Sequence, residues 1–498
     1  MKNEKVHDNQ EQVMHPSQEH DVRVKKVHIL RAQGWEPWPG FCTVSMTCAQ
    51  VLREPIKEED RSVQHALAGR LMAIRGHGKT VFARLQDRTG SVQLYFKEDE
   101  LKERFQFFKD FIDLGDILWI KGDLFLTKTG EVTVRVHAFE LLSKCLHPLP
   151  EKFHGLEDVE TRYRQRYLDL MSNEESREKF LKRSLIVSSL RHYLEERHFI
   201  EVETPMLHPI PGGALARPFV TRHNVLASDL YLRIAPELYL KRLVIGGFER
   251  VYEINRNFRN EGVSTRHNPE FTMLEFYLAH HDYHYMMTFV EDLLRTVVSK
   301  TCGTLEVPFG AHAINFGKNF ERISVKDAVL KYGSCTEKEL KPEAIDILIK
   351  KHGIKVETGL SWEEKVYLLF EELVEKNIVQ PTFIIDFPIH ISPLAKRDSQ
   401  NPEVAARFEL YCAGMEIANA YNELNDPFDQ EERFKKQAEH HARGNDEAHH
   451  FDADYIKALQ YGLPPTVGCG IGVDRLTMLL TNTTSIKDVI LFPALKKK

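Results

Sequence analysis

The sequence predicts an α+β protein in which a small closed β-barrel precedes a larger domain with an antiparallel β-sheet flanked by helices. The barrel is indicated by five short alternating runs between residues 65 and 142. The larger domain is indicated by helical spacing that resumes at residue 161 and by two later strand pairs with a polar face. With 498 residues, of which 42% are hydrophobic, the chain can bury the cores of roughly two to four domains.

The composition argues against several classes of protein. No apolar run approaches the ~20 residues of a membrane span, and the first residues lack the apolar segment of a secretory signal, so we expect a cytoplasmic protein without membrane contact. The seven cysteines are scattered without a CxxC pair, which argues against a disulfide framework or a zinc knot. Because the formal net charge is −6, any nucleic acid must be bound by a local basic surface.

The N-terminal residues 1–21 are polar and without periodicity, which predicts a disordered tail. Residues 22–32 follow as a basic helix, which Gly34 and Pro37 end. Its positive side chains either contact phosphate or form a solvated helix face. The sequence leaves both interpretations open.

The alternating runs of the barrel are interrupted by an amphipathic segment at 101–108, between the third and fourth strands. Five strands with a helix in this place are typical of the OB-fold, which binds single-stranded nucleic acid through stacked aromatic rings and polar base contacts. Phe82, Gln93 and Glu140 lie on the second, third and fifth strands and are the candidate contacts. A core role for Phe82 is the alternative, because aromatic side chains are more often packed.

The predicted domain boundaries follow from these patterns. The basic helix and the barrel occupy residues 22–143, and residues 144–160, with two prolines and no period, form a linker. The larger domain occupies residues 161–498. Within it, residues from about 283 to 380 are predicted to be a helical insertion without a catalytic constellation.

The first strand pair with a polar face consists of a strand that ends at Arg259 and a strand that begins at Phe271. The guanidinium of Arg259 fits a phosphate, and the ring of Phe271 fits a flat base. The loop between the strands is rich in turn formers and contains Glu261 and His267. This pattern predicts a nucleotide site, and an exposed hairpin with solvated charges is the alternative.

The second strand pair with a polar face carries Glu409 and Glu416 on either side of a turn. These carboxylates are close enough across the strands to share a divalent ion, and Mg²⁺ suits paired carboxylates together with triphosphate oxygens. Ion pairs with arginine are the alternative. Further along, Asn419, Tyr421 and Glu423 alternate onto one face.

The C-terminal part holds two further signals. Three alternate glycines from Gly468 let a strand approach a ligand closely, and Arg475 lies at the start of the helix that follows. Two histidine pairs, at 440–441 and 449–450, suggest zinc at first sight. Without a nearby cysteine, their spacing does not favour a zinc site.

Together these segments resemble the motifs of the class II aminoacyl-tRNA synthetases. Motif 2 is matched by Arg259, Glu261, His267, Phe271 and Glu275. Motif 3 is matched by the glycine-rich strand and Arg475. A helix and strand that end at Pro205 resemble motif 1, which implies a homodimer. The segments GGALARPF and SPLAK, and the linker, are similar to those of the bacterial-type lysyl-tRNA synthetases.

The resemblance implies a role for each residue of the nucleotide site. Arg259 and Arg475 would be the catalytic residues, which bind the α-phosphate and the γ-phosphate of ATP. Phe271 would stack on adenine, and Glu261 and His267 would contact the nucleotide from the loop.

The resemblance also implies three further binding sites. Glu409 and Glu416 would hold Mg²⁺. The barrel would bind the tRNA anticodon through Phe82, Gln93 and Glu140. The lysine-binding residues would be Glu237, at the α-amino group, together with Glu275, Tyr277, Asn419, Tyr421 and Glu423.

The implied reaction activates L-lysine with ATP and transfers it to the 3′ end of tRNA(Lys). An aspartyl or asparaginyl enzyme of the same subgroup would need cationic groups for its substrate side chain, whereas this chain carries Glu237, Glu275 and Glu423. An elongation-factor modifier would lack the barrel. A non-catalytic tRNA-binding relative would be expected to have lost Arg259 or Arg475.

Overall fold

The chain divides into two compact units, Met1–Glu157 and Asp158–Lys498. The computed structural model describes residues 16–56, 62–150, 158–356, 359–442 and 450–496. Within these ranges, no helix combines the length and the apolar character needed to cross a membrane. Both units mix helices and strands, and the predicted α+β class is confirmed.

The first unit is a closed five-stranded barrel of the OB type. Its elements are α1 (Pro16–Ala32), α2 (Cys48–Val51), β1 (His65–His77), β2 (Thr80–Gln86), β3 (Ser91–Lys97), α3 (Glu98–Leu101), α4 (Glu103–Phe111), β4 (Ile117–Leu126) and β5 (Val132–Ser143). The strands close in the order β1-β2-β3-β5-β4, with α4 between β3 and β4 as predicted. Alternate residues such as Leu85 and Leu94 fill the barrel, because successive side chains of a strand point to opposite faces.

Helix α1 corrects the prediction for the N-terminal tail. It begins at Pro16, so residues 16–21 are helical, while residues 1–15 of the predicted tail lie outside the described residues. Proline suits the first helical position, since no intrahelical hydrogen bond is needed there. Arg23 pairs with Glu19 and donates to the carbonyl of Leu114, so this basic residue binds the barrel and is not on a solvated face.

The second unit contains most of the chain. Its elements are α5 (Val159–Arg164), α6 (Arg166–Ser172), α7 (Glu174–Glu195), β6 (Ile200–Glu201), β7 (Leu207–His208), β8 (Val220–His223), β9 (Ser228–Leu232), α8 (Glu237–Ile245), β10 (Arg250–Phe258), β11 (Glu270–Ala279), α9 (Tyr283–Cys302), β12 (Glu306–Phe309), β13 (His312–Asn315), β14 (Glu321–Ser324), α10 (Val325–Tyr332), α11 (Ile345–Lys351), α12 (Trp362–Leu373), β15 (Thr382–Ile385), β16 (Arg407–Cys412), β17 (Met415–Asn422), α13 (Pro427–Ala442), α14 (Ala453–Leu459), β18 (Thr466–Gly472) and α15 (Val473–Leu480). Short 3₁₀ helices lie at Glu375–Asn377, Ile389–Ile391 and Ile486–Asp488.

The central sheet has eight strands in the order β14-β15-β16-β17-β18-β11-β10-β6. Its neighbours are antiparallel except at the two edges, where β14 pairs with β15 and β6 pairs with β10 in parallel. One face packs against α7, α9 and α15 and forms the core, to which β11 contributes Leu274, Phe276 and Leu278. The alternating positions Glu275 and Tyr277 therefore point to the opposite face, as the two-residue period predicts.

The predicted insertion at about 283–380 is only partly separate. Helix α9 belongs to the main core, with Met286 and Leu293 fully buried, and β14 is an edge strand of the central sheet. Only α10, α11 and α12 form their own apolar cluster, which includes Leu348 and Leu369. The prediction of a helical insertion is wrong for α9 and β14, because an amphipathic pattern alone does not reveal which surface a segment covers. Residues 151–157 of the predicted linker lie outside the described residues.

Candidate active site

A cavity of about 380 Å³ opens on the polar face of the central sheet. The candidate residues of the nucleotide, metal and lysine sites all line it. They are Glu237, Arg259, Glu261, His267, Phe271, Glu275, Tyr277, Glu409, Glu416, Asn419, Tyr421, Glu423 and Arg475. The fold therefore brings together side chains from several strands and helices that are distant in the sequence.

The floor of the cavity is open because β18 carries glycine where its neighbours carry large side chains. Gly468 pairs with Tyr277 on β11 and with Tyr421 on β17, so it lies between the two rings. A Cβ atom at this position would collide with Oε1 of Glu423 and would lie 2.5 Å from Cε1 of Tyr277. Glycine is thus required here for the close approach of the backbone.

The nucleotide end of the cavity contains a partly buried cation. The guanidinium carbon of Arg259 lies 5.1 Å from the ring centre of Phe271. Its Nε atom has no hydrogen-bond partner among the described residues, and burial lowers the pKa of this guanidinium. A desolvated arginine with an unused donor at a cavity wall is suited to bind an oxyanion.

A second cation, Arg475, lies beside the loop that carries His267. Its Nη1 donates to the carbonyl oxygen of Glu416 at 2.9 Å and to Oε2 of the same residue at 3.1 Å. Its Nη2 is 3.3 Å from Nε2 of His267. Burial, reinforced by Arg475, lowers the pKa of His267, so the imidazole is neutral near pH 7.

The carboxylates of Glu409 and Glu416 each have an arginine partner, as the structural alternative predicts. Arg407 pairs with Glu409, and Tyr411 donates its hydroxyl to Oε2 of Glu409 at 2.7 Å. Burial raises the pKa of Glu409 to about 7, because the repulsion from Glu416 adds to it and Arg407 offsets it only in part. The two carboxylates repel each other, and a divalent cation bound by both would relieve this repulsion.

A metal ion at this pair would need ligands from another molecule. Within the described ranges, no group of three or more histidine, cysteine, aspartate or glutamate side chains is arranged to hold a metal. Mg²⁺ is commonly bound by one or two carboxylates together with substrate phosphates. Of the histidine pairs, His449 lies outside the described residues.

The opposite end of the cavity is acidic. Glu237, at the start of α8, accepts a hydrogen bond from the hydroxyl of Tyr421 at 2.7 Å. Tyr277 donates to Oε2 of Glu275 at 3.4 Å. Burial, together with Glu237, raises the pKa of Glu275 to about 8. Oε1 of Glu423 has no hydrogen-bond partner in the part of the chain that the structure describes, so this oxygen can accept from a ligand.

Two residues at this site were missed by the sequence analysis. Lys241 is fully buried and pairs with Glu237 at 2.5 Å and with Glu423. Its spacing of four residues from Glu237 on a helix was the available signal. Arg407 also lines the cavity and donates to Oδ1 of Asn419 at 3.1 Å. Its position two residues before Glu409 places both on one strand face.

The candidate nucleic-acid surface of the barrel includes Phe82. Its neighbours Val81 and Ala83 belong to the barrel core, whereas Phe82 points outwards and is half-buried against Tyr95, with ring centres 5.0 Å apart. The alternative that Phe82 belongs to the core is therefore wrong. Gln93 lies on the same outer surface and donates to Oγ1 of Thr133 at 3.0 Å.

Glu140 does not join this surface. On β5, the residue that pairs with Gln93 is Thr133, and positions 133 to 140 span roughly 23 Å at ~3.3 Å per residue. The sequence predicted the strand correctly, but it did not fix which part of the long strand lies beside β3. The acidic side chain found there is Glu131, which pairs at 2.5 Å with Arg84, the cross-strand partner of Gln93.

Comparisons with known proteins agree with both units. The family model described as tRNA synthetases class II (D, K and N) matches residues 158–496. A model of the OB-fold nucleic acid binding domain matches residues 66–142.

Curated relatives match the whole chain. A lysine–tRNA ligase of Carboxydothermus hydrogenoformans is 51% identical over 479 residues, which cover 96% of this chain and 98% of the relative. A lysine–tRNA ligase of Legionella pneumophila is 49% identical over 508 residues, with both chains covered completely. A third, of Pasteurella multocida, is 52% identical over 494 residues and covers 96% of this chain and 97% of the relative.

Proposed function

Because the chain belongs to the class II tRNA synthetases of the aspartate, lysine and asparagine group, we propose that its cavity activates L-lysine with ATP and charges tRNA(Lys). The protein is a lysine–tRNA ligase. The observation that supports this use of the cavity is its distribution of charge: the partly buried Arg259 and Arg475 lie at one end, and Glu237, Glu275 and Glu423 lie at the other.

The reaction has two steps. A carboxylate oxygen of lysine attacks the α-phosphorus of ATP, the bond to the β-phosphate breaks, and pyrophosphate leaves. A hydroxyl of the terminal ribose of tRNA then attacks the carbonyl carbon of lysyl-adenylate, and AMP leaves. Since the substrates supply both nucleophiles, the protein acts by positioning them and by neutralising charge.

At the nucleotide end, Arg259 binds the α-phosphate and Arg475 binds the γ-phosphate. Their charges stabilise the oxyanions that develop during the displacement. Phe271 stacks on adenine, and Glu261 and His267 contact the nucleotide from the loop. The neutral imidazole of His267 accepts or donates a hydrogen bond without adding repulsion.

The residues present also fit magnesium. Glu409 and Glu416 would hold Mg²⁺ together with phosphate oxygens, and the ion would supply positive charge to the triphosphate. Arg407 and Arg475 pair with these carboxylates and hold them in place.

At the acidic end, Glu237 binds the α-amino group, and Glu275 and Glu423 bind the ε-ammonium. An ammonium group leaves water at a high cost unless carboxylates replace its hydration. Tyr277, Asn419 and Tyr421 complete the wall. An aspartyl or asparaginyl enzyme is disfavoured, because an acidic or amide side chain would meet these glutamates.

The barrel is proposed to read the anticodon through Phe82 and Gln93. The outward aromatic ring offers a stacking platform, and the amide offers donors and acceptors to a base edge. Charging then depends on the barrel, whereas amino-acid activation does not.

A homodimer that acts in the cytoplasm, where translation takes place, is the proposed form. The motif 1 segment, residues 180–205, includes most of α7, on which Leu181 and Leu185 are 62% and 44% exposed. Apolar side chains that remain uncovered on a helix are suited to a subunit interface. Sedimentation of the purified protein tests this, and a stable active monomer would contradict it.

The proposed function is tested by pyrophosphate–ATP exchange with each of the twenty amino acids. Exchange is expected with lysine and to depend on added Mg²⁺. Exchange that aspartate or asparagine stimulates as well as lysine would overturn the assignment of the pocket.

A further inference from the structure

Lys241 lies behind the acidic end of the cavity. It is one helical turn after Glu237 on α8, its side chain has no exposed surface, and its Nζ lies 2.5 Å from Oε1 of Glu237. The same ammonium pairs with Oε2 of Glu423. Glu237 and Glu423 line the cavity, whereas Lys241 does not. Lys241 therefore bridges the two carboxylates from the side that faces away from the cavity.

The other groups around Lys241 leave it no alternative partner of opposite charge among the described residues. The rings of Tyr421 and Tyr455 lie 5.8 Å and 5.9 Å from its Nζ. Burial alone would lower the pKa of Lys241, but Glu237 and Glu423 outweigh burial and raise it, so the residue is a permanent cation. Towards the cavity, the next titratable groups are Glu275 and Tyr277.

We propose that Lys241 is a positioning residue that bridges Glu237 and Glu423 and fixes both carboxylates at the acidic end, and so sets the pocket to accept one positively charged side chain. The inference rests on the proposed lysine pocket and adds a residue that does not itself touch the substrate. Two neighbouring carboxylates in a dry site do not both stay ionised without a cation. Burial, together with Glu237 and Glu275, raises the pKa of Glu423, and Lys241 opposes that rise.

Glu275 is a further titratable carboxyl beside Glu237 and Glu423. Its pKa of about 8 leaves it mostly protonated at neutral pH. Without Lys241, the pKa of Glu423 would rise further, and lysine would have to displace the proton of this carboxyl to bind. The KM for lysine would then depend on pH more steeply than in the wild type.

The test is the pyrophosphate exchange of K241Q and K241M between about pH 6.5 and 8.5. Both variants are expected to raise the KM for lysine roughly 30-fold or more at pH 7, as when one partner of a buried charge pair is removed. The increase should shrink as pH rises, while the KM for ATP stays within about twofold. K241R should restore part of the lysine affinity, because it returns the charge.

The matched control is K144M. Lys144 is also a buried lysine between two carboxylates, those of Asp113 and Asp116, but it lies in the barrel unit. Its loss should lower thermal stability and leave the KM for lysine unchanged. If K241M is insoluble, K241Q carries the test.

A wild-type KM for lysine in K241Q, or an equal and pH-independent increase of the KM for lysine and for ATP, would overturn the inference. Either result leaves the proposed function intact, because the wild-type protein would still show lysine-dependent exchange. Absence of that exchange in the wild type would instead reject the proposed function.

Discussion

Nη1 of Arg475 donates at the same time to the backbone carbonyl and to the carboxylate of Glu416, at 2.9 Å and 3.1 Å. The side chain proposed to bind the γ-phosphate and a side chain proposed to bind magnesium therefore neutralise each other. On the proposed assignment, a phosphate would replace Glu416 as the partner of Arg475, and Mg²⁺ would replace Arg475 as the partner of Glu416. Neither charge would then be left without a partner.

The first prediction concerns the two arginines. R259A and R475A are each expected to reduce pyrophosphate exchange more than about a hundredfold, since loss of a group that stabilises the transition-state charge costs ~3 kcal/mol or more. R222A is the control, because the side chain of Arg222 is 61% exposed, and its partners among the described residues are Asp229 and the backbone carbonyl of Ala227. Near-normal exchange in both cavity variants would reject their roles.

The second prediction concerns lysine specificity. E423Q keeps the shape of the side chain but leaves the ε-ammonium underpaired, and removal of one partner of a buried pair costs ~3 to 5 kcal/mol. The kcat/KM for lysine should fall by roughly two to four decades. Activation of leucine or methionine should change much less, because neither carries a charge. A uniform loss for all three amino acids would mean that Glu423 supports the fold or ATP.

The third prediction is a pH dependence of lysine binding. Since burial raises the pKa of Glu275 to about 8, this carboxyl is mostly protonated at pH 7 and must lose its proton to pair with an ammonium. Lysine should therefore bind more tightly as pH rises from about 7 to 8.5, with proton release at the lower pH. Calorimetry in buffers of different ionisation enthalpy measures this release. E275Q should abolish it, and equal release in both proteins would contradict the assignment.

The fourth prediction separates the two units. F82A should weaken tRNA charging by about 1 to 3 kcal/mol, the value of a lost base stack, and leave pyrophosphate exchange intact. F96A removes a fully buried ring of the barrel core and should instead lower thermal stability, by about 3 to 5 kcal/mol. Equal damage to charging and exchange by F82A would contradict the proposed division of labour.

Much of this site was predictable from the sequence, because strand alternation decides the side of a sheet. The two-residue period places Glu275 and Tyr277 on one face and Leu274 on the other. The glycines from Gly468 indicate that the backbone of their strand closely approaches other groups. These signals are local. They depend on the backbone and not on the partners that the fold brings together.

What could not be predicted depends on contacts between distant segments. The sequence does not distinguish Lys241 from other helical lysines, because its partner Glu423 lies far along the chain. Glu140 was misplaced because alternation predicts a strand without its register. The sequence assigns helix α9 to an insertion, because an amphipathic pattern does not show which core the helix packs against.

The last prediction uses the glycine at the floor of the cavity. G468A would place a methyl group against Oε1 of Glu423 and 2.5 Å from Cε1 of Tyr277, and Tyr277 is held by the surrounding core. Overpacking of this kind costs about 1 to 3 kcal/mol, or roughly five- to 150-fold in the kcat/KM for lysine. G472A is the matched comparison. The Cβ atom added there would lie 3.7 Å from its nearest neighbour, the Cβ of Arg475, so a smaller effect is expected. Binding of ATP, measured by calorimetry, should be little changed in G468A. A larger loss of kcat/KM for lysine in G472A than in G468A would contradict the proposal that lysine binds beside Gly468.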